Sequence, residues 1–330
     1  MIISRTPFRI SFFGGGTDYP DWYREHGGMV LATTIDKYCY INCRYLPPFF
    51  EHKHRIVYSN IENVENIENI NHPSVRAVLS YFKCKEGLEI HHDGDLPARS
   101  GLGSSSSFTV GLINAIKALN GKYISKEELA KEAINIEQNV INECVGSQDQ
   151  ISAAFGGFNH IEFMQNDTFQ VRPIILKASR LNELNDHLML FFTGLSRNAP
   201  EIAQSQISNF KKRETELMRM KDIVNEAISI LESENEISVF GKLLHESWLN
   251  KRSLSDRVSN SEIDNIYDVA MQNGAVGGKL LGAGGGGFIL FFVPPDQKKN
   301  VAEKLKHLVH VPFQFESMGS RIVLYQPNGL

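Results

Sequence analysis

The sequence has no run of apolar residues long enough to cross a membrane. Its 330 residues are 42% hydrophobic, but nowhere do about 18 apolar residues follow one another, and a membrane-spanning helix needs roughly 20. The first residues, MIISRTPFRI, also lack the charged start and long apolar stretch of a secretory signal. We therefore expect a cytoplasmic protein without a membrane partner.

An excess of basic residues is also absent. Lys and Arg together number 34, Asp and Glu together number 38, and the net charge is -4. Such a chain carries no overall positive field that would attract nucleic acid or anionic lipid. These numbers favour a small soluble ligand over a nucleic-acid partner, and they leave the oligomeric state open.

Cysteine is scarce, with four residues in the chain. Cys39 and Cys43 lie on a strand-like segment whose geometry separates them by roughly 13 Å. That distance is too long for a disulfide bond between the two sulfur atoms. We therefore expect reduced thiols.

The hydrophobic pattern predicts an α+β fold in two regions. Strand patterns occupy residues 8–13, 29–35, 38–45, 55–58, 88–91, 157–163, 169–175, 188–192, 288–293 and 321–325. Helical spacing occupies residues 105–120, 125–144, 200–231, 238–249 and 261–271, and Ser125 with Glu128 forms a capping-box signature. A polar stretch at 177–186 suggests a boundary between an N-terminal domain, 1–180, and a C-terminal domain, 181–330.

The strongest local signal is DLPARSGLGSSSSFTVGL, from Asp95 to Leu112. A strand ends there, a loop of glycine and serine follows, and an amphipathic helix begins. Glycines let the backbone approach an anion, and the first N–H groups of the helix point at it. Serine hydroxyls can bind phosphate oxygens or Mg²⁺. The alternative is a serine helix cap, but one cap needs one serine rather than four beside two glycines.

Two better-known nucleotide motifs do not fit the sequence. The nearest approach to the P-loop pattern GxxxxGK[ST] is NGAVGGKL at 273–280, which lacks the first glycine and the final hydroxyl. Gly282, Gly284 and Gly287 match GxGxxG, but the strand-like FILFFV follows them, whereas a dinucleotide site requires a helix. The sequence therefore disfavours a P-loop enzyme and a dehydrogenase.

Two acidic residues lie close to the glycine and serine loop in sequence. Glu137 falls inside a predicted helix, and Asp149 follows in the segment GSQDQ, 12 residues later. Phosphoryl transfer needs Mg²⁺ held by few protein ligands and a separate carboxylate that orients or deprotonates the acceptor hydroxyl. This pair can fill both roles. The alternative is a solvated helix glutamate and an ordinary aspartate at a helix start.

Glycine-rich segments also occur near both ends of the chain. RTPFRISFFGGGTDYPDW places Arg9 within a strand and Asp18 after three glycines, where a carboxylate can accept two hydrogen bonds from sugar hydroxyls. By itself GGGTD is only a turn. KLLGAGGGGFILFF, at 279–292, has more glycine than a hairpin demands, so it predicts a bulged or ligand-contacting loop.

In this order, the three glycine-containing segments resemble the three motifs of the GHMP kinases, and the resemblance spans essentially the whole chain. RTPFRISFFGGGTD resembles the first motif, GLGSSSS the ATP-binding second motif, and LGAGGGGF the third. The resemblance implies an N-terminal domain like ribosomal protein S5 domain 2 and a ferredoxin-like C-terminal domain, with the site between them. It also implies ATP as phosphate donor and Mg²⁺ as cofactor.

The resemblance assigns roles by motif position. Asp149 would be the catalytic carboxylate, Arg9 would stabilise charge on the acceptor and the transferring group, and Ser105 with Glu137 would hold Mg²⁺. The ATP phosphates would contact Gly101, Leu102, Gly103, Ser104, Ser105, Ser106 and Ser107. Substrate contacts would come from Gly15, Gly16, Thr17, Asp18, Gly284 and Gly285.

Within the family, GGGTDYP departs from the GEHTDY-like segment of galactokinases. It resembles the branch that phosphorylates the anomeric hydroxyl of D-glycero-D-manno-heptose 7-phosphate to the 1,7-bisphosphate. The alternatives are a free-sugar 1-kinase for an L-fucose-like sugar and a catalytically silent ligand-binding regulator. A 7-phosphate would need a basic partner, and the candidates in the sequence are Arg99, Lys177, Arg180 and Arg197.

Overall fold

The computed structural model describes residues 1–98, 100–195, 199–234 and 236–327. Thirteen strands form two sheets in this part of the chain. The strands are β1 Ile2–Phe13, β2 Gly28–Tyr45, β3 His54–Val57, β4 Ile61–Val64, β5 Leu88–Gly94, β6 Phe158–Phe163, β7 Phe169–Pro173, β8 Leu188–Phe192, β9 Gly277–Leu280, β10 Phe288–Phe292, β11 Val309–His310, β12 Phe315–Glu316 and β13 Arg321–Tyr325.

Eleven α-helices accompany the sheets in the described residues. They are α1 Pro20–His26, α2 Pro73–Tyr81, α3 Ser104–Leu119, α4 Lys126–Asn135, α5 Gln148–Phe155, α6 Ala178–Asp186, α7 Ala199–Ile207, α8 Glu214–Glu232, α9 Ser238–Ser253, α10 Ser261–Gln272 and α11 Lys298–Lys304. The α+β class predicted from the hydrophobic pattern is confirmed. No helix among these ranges is long and apolar enough to span a bilayer, and the cytoplasmic location stays a prediction.

The larger sheet follows the order β13-β1-β2-β5-β3-β4, and β2 also pairs with β6 and β12. Its centre is β2, an 18-residue strand that pairs with β1 from Ile2 to Phe13. The sequence pattern divided β2 into two strands, at 29–35 and 38–45, and this division is wrong. The polar residues Asp36 and Lys37 between them form a bulge in the pairing with β1, and the backbone N–H of Asp36 donates to the carbonyl of Gln314.

Helix α3 packs on β1 and β2, and apolar side chains such as Val110 and Ile113 are fully buried. The helix predicted to follow it, from 125 to 144, is shorter in the structure. Helix α4 begins with the expected capping box of Ser125 and Glu128, and a π-helical turn at Ile136–Val140 ends the helical segment. Such π-turns are often found at functional sites, and this one carries Glu137.

The smaller sheet is antiparallel in the order β11-β8-β10-β9. If β8, β9, β10 and β11 are numbered 1 to 4 along the chain, their order across the sheet is 4-1-3-2. This is the strand order of a ferredoxin-like βαββαβ unit. The predicted C-terminal fold is therefore confirmed. The single helix predicted at 200–231 is two helices, α7 and α8, with a 3₁₀ turn at Phe210–Lys212 between them.

The C-terminal end of the chain returns to the larger sheet. Strand β12 pairs with β2, and β13 pairs with β1. The predicted C-terminal domain, 181–330, thus supplies strands to the N-terminal sheet, and the boundary at 180 stays a prediction. All four cysteines are free in the structure, and Cys39 and Cys43 are buried; their reduced state stays a prediction.

Candidate active site

A cleft of about 1190 Å³ lies between the N-terminal and C-terminal parts of the structure, and residues of both parts line it. Ligand pockets in proteins usually measure about 300–1,000 Å³, so this cleft has room for two small molecules at once. One wall comes from the region before residue 150, and the other comes from α7, α9 and the loop after β9. The three glycine-containing segments of the sequence all contribute to it.

The second glycine segment forms the start of α3. Gly101 and Gly103 have φ angles of 94° and 73°, which favour glycine, and α3 begins at Ser104. The first N–H groups of this 16-residue helix therefore point into the cleft, where an anion is stabilised by those donors and by the helix dipole. The predicted anion site is consistent with this geometry.

Not every residue of the predicted phosphate loop lines the cleft. Gly101, Gly103, Ser104, Ser105 and Ser106 do. The side chain of Leu102 is instead buried in the core, and the hydroxyl of Ser107 donates to the carbonyl of Pro7 at 2.9 Å. The structure therefore does not support Leu102 and Ser107 as side-chain contacts to ATP, because both point into the protein interior.

Arg9 and Asp149 meet at the base of the loop as a bidentate ion pair. Arg9 Nε lies 2.7 Å from Asp149 Oδ1, and Nη2 lies 2.8 Å from Oδ2. Arg9 Nη1 donates to the carbonyl of Gly101 at 2.6 Å. The side chain of Arg9 is 4% exposed and that of Asp149 26% exposed, so the guanidinium is held behind a carboxylate that faces the cleft. The sequence placed both residues in the site, and the structure brings them into contact.

Arg9 retains donors for a ligand. A guanidinium carries five N–H donors, and Arg9 uses three of them on described residues. Arg9 lies on β1. Its backbone N–H donates to the carbonyl of Leu102 at 3.0 Å, in the second glycine segment. The arginine therefore connects the first and second glycine segments.

Glu137 is fully buried directly behind the phosphate loop. Its Oε2 accepts a hydrogen bond from Ser106 Oγ at 2.8 Å and another from the side-chain amide of Gln150, while Oε1 is buried without a hydrogen-bond partner. Burial raises the pKa of Glu137 to about 7, although the neighbouring polar side chains of Thr109, Ser106 and Gln150 oppose the rise. A buried carboxylate oxygen without a donor is a fitting ligand for a hard cation.

The predicted magnesium pair of Ser105 and Glu137 needs a correction. The hydroxyl in contact with Glu137 belongs to Ser106, whereas Ser105 is exposed. Successive helix residues point about 100° apart, so only one of these two serines can face the buried carboxylate. The residues that fit Mg²⁺ are therefore Ser106 and Glu137. Among the described residues there is no cluster of three or more His, Cys, Asp or Glu side chains that could hold a metal ion.

The first glycine segment forms a turn that holds Asp18 at the cleft. Asp18 Oδ1 accepts from the backbone N–H of Gly16 at 2.9 Å, and Gly146 leaves room for Oδ2, since a Cβ at Gly146 would lie 2.0 Å from it. Burial raises the pKa of Asp18, hydrogen bonds lower it, and the negative charge of Asp149 raises it further. Gly15, Gly16 and Asp18 line the cleft as predicted.

Thr17 is not supported as a substrate contact. Its side chain is fully buried, and its hydroxyl oxygen lies within hydrogen-bond distance of the carbonyl oxygens of Gly14 and Met29, at 2.8 and 2.9 Å. These contacts stabilise the turn between β1 and β2. The reason is the turn geometry, which points the residue before Asp18 away from the cleft.

The third glycine segment contacts the second, but through different residues from those predicted. Gly282 and Ala283 line the cleft, whereas Gly284 and Gly285 pack against the backbone of Val258. The N–H of Gly285 donates to the carbonyl of Val258 at 2.9 Å, and a Cβ at Gly284 would lie 2.7 Å from that oxygen. The predicted substrate contacts at Gly284 and Gly285 are therefore not supported.

Gly287 explains why this loop needs so much glycine. A Cβ at Gly287 would lie 2.1 Å from the carbonyl oxygen of Ser100, and the N–H of Phe288 donates to that same oxygen at 2.9 Å. The start of β10 thus packs backbone to backbone against the phosphate loop. The absence of a side chain at Gly287 therefore allows the two walls of the cleft to come into contact.

Two buried lysines in the cleft were missed by the sequence reasoning. Lys279, on β9, is 2% exposed and donates to the carbonyl of Phe12 at 2.8 Å. Lys251, in the last turn of α9, is 5% exposed and donates to the carbonyl of Gly282. Lys279 stands beside the third glycine segment, which was the available signal. Nothing in the local sequence distinguishes Lys251 from an exposed helix lysine.

The basic residues proposed from sequence for a second phosphate are not supported as a group. Lys177 lies 3.7 Å from Glu234, and its side chain is 83% exposed. Arg180 donates to Glu183 and to the carbonyl of Ile230. Neither lines the cleft. Arg99 and Arg197 lie outside the described residues.

The N-terminus of a helix and a carboxylate paired with an arginine share one cleft, and this geometry suits a phosphotransferase. Residues 70–157 match the family described as GHMP kinases N terminal domain, and residues 225–310 match GHMP kinases C terminal. The chain is 33% identical over 318 residues to a D-glycero-alpha-D-manno-heptose 7-phosphate kinase of Campylobacter jejuni, with 92% of this chain and 93% of that protein covered. The chain belongs to the GHMP kinase family.

Two further relatives agree with this assignment. A galactokinase of Pyrococcus furiosus is 27% identical, with 92% of each chain covered. The crystal structure of a D-glycero-D-manno-heptose 1-phosphate kinase from Bacteroides thetaiotaomicron is 25% identical, with a TM-score of 0.80, and the match covers 97% of this chain and 98% of that one. The protein is therefore a sugar kinase, and GHMP kinases use ATP as phosphate donor.

Proposed function

We propose that this kinase transfers the γ-phosphoryl group of ATP to the anomeric hydroxyl of a sugar phosphate. The acceptor is D-glycero-D-manno-heptose 7-phosphate, and the product is the 1,7-bisphosphate. The similarity to a heptose 7-phosphate kinase supports the choice of acceptor. The observation that carries the chemistry is the bidentate Arg9–Asp149 pair beside the N-terminus of α3.

The proposed transfer uses residues on both sides of the reacting groups. The ATP phosphates lie at Gly101, Gly103 and the first turn of α3. The acceptor lies at the Gly15–Asp18 turn, where Asp18 accepts hydrogen bonds from sugar hydroxyls. Its anomeric hydroxyl points to Asp149. The bond from that oxygen to the γ-phosphorus forms while the bond from the γ-phosphorus to the bridging oxygen of ADP breaks.

Asp149 and Arg9 have complementary roles in this step. Asp149 orients the anomeric hydroxyl and takes its proton as the new bond forms. Arg9 holds the Asp149 carboxylate in place, and its remaining N–H donors stabilise charge on the transferring phosphoryl group. The donors are fixed by β1 and by Gly101 before the substrate binds, so little reorganisation is needed.

Magnesium fits behind the phosphate loop. Ser106 and Glu137 would hold it, because Glu137 Oε1 is buried without a donor. When bound, Mg²⁺ supplies positive charge that neutralises the phosphate oxygens of ATP. Two protein ligands would leave room for the phosphate oxygens of the nucleotide as further ligands.

The proposal is tested by ADP release with Mg-ATP against free hexoses, hexose phosphates and D-glycero-D-manno-heptose 7-phosphate. The Asp149→Asn variant is the blank. Turnover on the heptose phosphate that disappears in the variant is the expected result. Turnover confined to a free sugar would contradict the proposed acceptor and assign the enzyme to the free-sugar 1-kinases.

A further inference from the structure

The C-terminal wall of the cleft contains two buried ammonium groups on adjacent elements. Lys279 extends from β9, and Lys251 extends from the last turn of α9. Lys251 Nζ donates to the carbonyl of Gly282, three residues after Lys279 in the chain. Both side chains line the cleft, and both are more than nine-tenths buried.

The charges around Lys279 do not cancel. Among the described residues, no carboxylate oxygen lies within 4.0 Å of its Nζ, and its hydrogen-bond partner is the neutral carbonyl of Phe12. The charged groups that face it are Lys251 on α9, Arg9 on β1 and Asp18 in the following turn. Arg9 is itself paired with Asp149 on the N-terminal wall, and the charged side chains of described residues that line the C-terminal wall, Lys279 and Lys251, are both cations.

This arrangement is unfavourable without a ligand. Removing an ammonium group from water requires compensation by a nearby negative charge. Burial lowers the pKa of Lys279 well below its ordinary value, the charges of Lys251 and Arg9 lower it further, and Asp18 opposes the change. An anion bound beside Lys279 would supply the missing negative charge.

We propose that Lys279 and Lys251 bind the phosphate group that the sugar acceptor already carries. The inference rests on the proposed function, because it requires an acceptor that is itself a phosphate ester. A lysine is a compact point charge with three donors and binds phosphate without a fixed fork geometry. Two of them on one wall suit the dianion of a phosphate monoester.

The position of the lysines favours the acceptor over ATP. The ATP phosphates have their own donors at the start of α3, on the N-terminal wall. Lys279 is instead bound to the carbonyl of Phe12, two residues before the glycine turn that leads to Asp18. A phosphate on these lysines therefore lies beside the proposed sugar site and on the wall opposite α3.

The test compares one acceptor with and without its phosphate. Lys251→Gln and Lys279→Gln are assayed for kcat/KM with D-glycero-D-manno-heptose 7-phosphate and with the same heptose lacking the phosphate. We expect kcat/KM for the phosphorylated acceptor to fall about 100-fold, as when one partner of a buried charge pair is removed. The value for the unphosphorylated heptose and the KM for ATP stay near wild type.

Lys242→Gln is the matched control, because Lys242 lies on the same helix α9 as Lys251 and is exposed. It should leave both acceptors unchanged. If Lys279→Gln does not fold, as shown by circular dichroism, Lys251→Gln alone decides the outcome. Its substitution removes a side chain near the helix end and leaves β9 intact.

Two results would overturn the proposal. Equal losses on both acceptors would show that the lysines do not bind the acceptor's phosphate, and so would a higher KM for ATP with an unchanged acceptor preference. Failure of the proposed function itself has a different signature, which is a wild-type enzyme that turns over the unphosphorylated heptose as well as the phosphorylated one.

Discussion

The charged groups on the two walls of the cleft have different surroundings. On the N-terminal wall each charged group meets a polar partner, since Arg9 is paired with Asp149 and Glu137 accepts hydrogen bonds from Ser106 and Gln150. On the C-terminal wall Lys279 is buried against a carbonyl, with Lys251 as a cationic neighbour. The first wall is assembled for chemistry before any ligand arrives. The second gains its compensating charge from a ligand.

This difference assigns separate tasks to the two walls. Donors that are fixed in advance around reacting groups lower the barrier to phosphoryl transfer, and the N-terminal wall has this property. Buried positive charge selects an anionic substrate, and the C-terminal wall has that property. Substitutions on the N-terminal wall should therefore reduce turnover, and substitutions on the other wall should change acceptor preference.

The largest effect is expected from Asp149→Asn on the N-terminal wall. The substitution removes the carboxylate that orients the acceptor hydroxyl and pairs with Arg9, so kcat should fall by about 10²–10⁴. ADP release at saturating substrates measures it, and thermal unfolding checks that the fold is retained. Asp167→Asn is the matched control, because Asp167 pairs with Arg24 at 2.7 Å on the surface. Comparable activity losses in both variants would contradict the assigned role.

A second large effect is expected from Glu137→Gln. The amide keeps the size of the side chain but cannot supply an anionic oxygen to Mg²⁺, so the apparent affinity for Mg²⁺ should fall about 10–100-fold. Titration of activity with Mg²⁺ at fixed ATP measures the change. Glu127→Gln, on the exposed face of α4, should not alter the titration. An unchanged Mg²⁺ titration in Glu137→Gln would remove this residue from the metal site.

Gly287→Ala should disturb the contact between the two walls. The added Cβ would lie 2.1 Å from the carbonyl oxygen of Ser100, so the phosphate loop or β10 must move. We expect a loss of about 1–3 kcal/mol in the free energy of unfolding and a higher KM for ATP.

Gly194→Ala is the control for Gly287→Ala. Gly194 also has a positive φ, 74°, but no atom lies within 4 Å of an added Cβ there. Backbone strain in Gly194→Ala should lower the free energy of unfolding by about 1–2 kcal/mol. The KM for ATP should not rise. The same KM in both variants would mean that contact between the walls does not position ATP. Chemical denaturation and steady-state kinetics give the two readouts.

The smallest effect is a pH dependence of Mg²⁺ binding. Burial raises the pKa of Glu137 from 4.5 to about 7, so its contribution to the stability of the metal-free protein is present below pH 4.5 and is lost as pH rises through about 7. Protons compete with Mg²⁺ below that value. The rise in melting temperature on adding Mg²⁺ should therefore be larger at pH 8 than at pH 6.

The control for this pH effect is Glu137→Gln, whose Mg²⁺-dependent shift should be small at both pH values because the amide does not titrate. A shift in the wild type that is equal at pH 6 and pH 8 would contradict the assignment of this carboxylate. Thermal unfolding followed by circular dichroism is sufficient for the comparison.

Much of the fold follows from local sequence, because most elements carry their own periodic pattern. Strands β8 and β13 begin and end at the predicted residues. The error in β2 has a distant cause, since its polar interruption at Asp36 is paired with Gln314, which is 278 residues away in sequence. The fold of the C-terminal sheet depends on such pairings, which a local pattern does not contain.

The site was predictable where glycine and serine motifs mark it, and less so elsewhere. Arg9, Asp18 and Asp149 all line the cleft. The sequence predicted Ser105 beside Glu137, and the structure places Ser106 there. Which serine faces Glu137 depends on the rotation of α3 about its axis, and packing fixes that rotation. Lys251 was missed because its burial depends on the contact of α9 with the loop after β9, and the helix pattern alone cannot show it.

The proposed reaction is tested most directly by the phosphorus NMR spectrum of D-glycero-D-manno-heptose 7-phosphate incubated with Mg-ATP and the enzyme. We expect a product with two phosphorus signals, one of them coupled to the anomeric proton, formed as the γ-phosphate signal of ATP disappears. A second phosphate on another carbon, or no new sugar phosphate signal while an unphosphorylated sugar is turned over, would contradict the proposal.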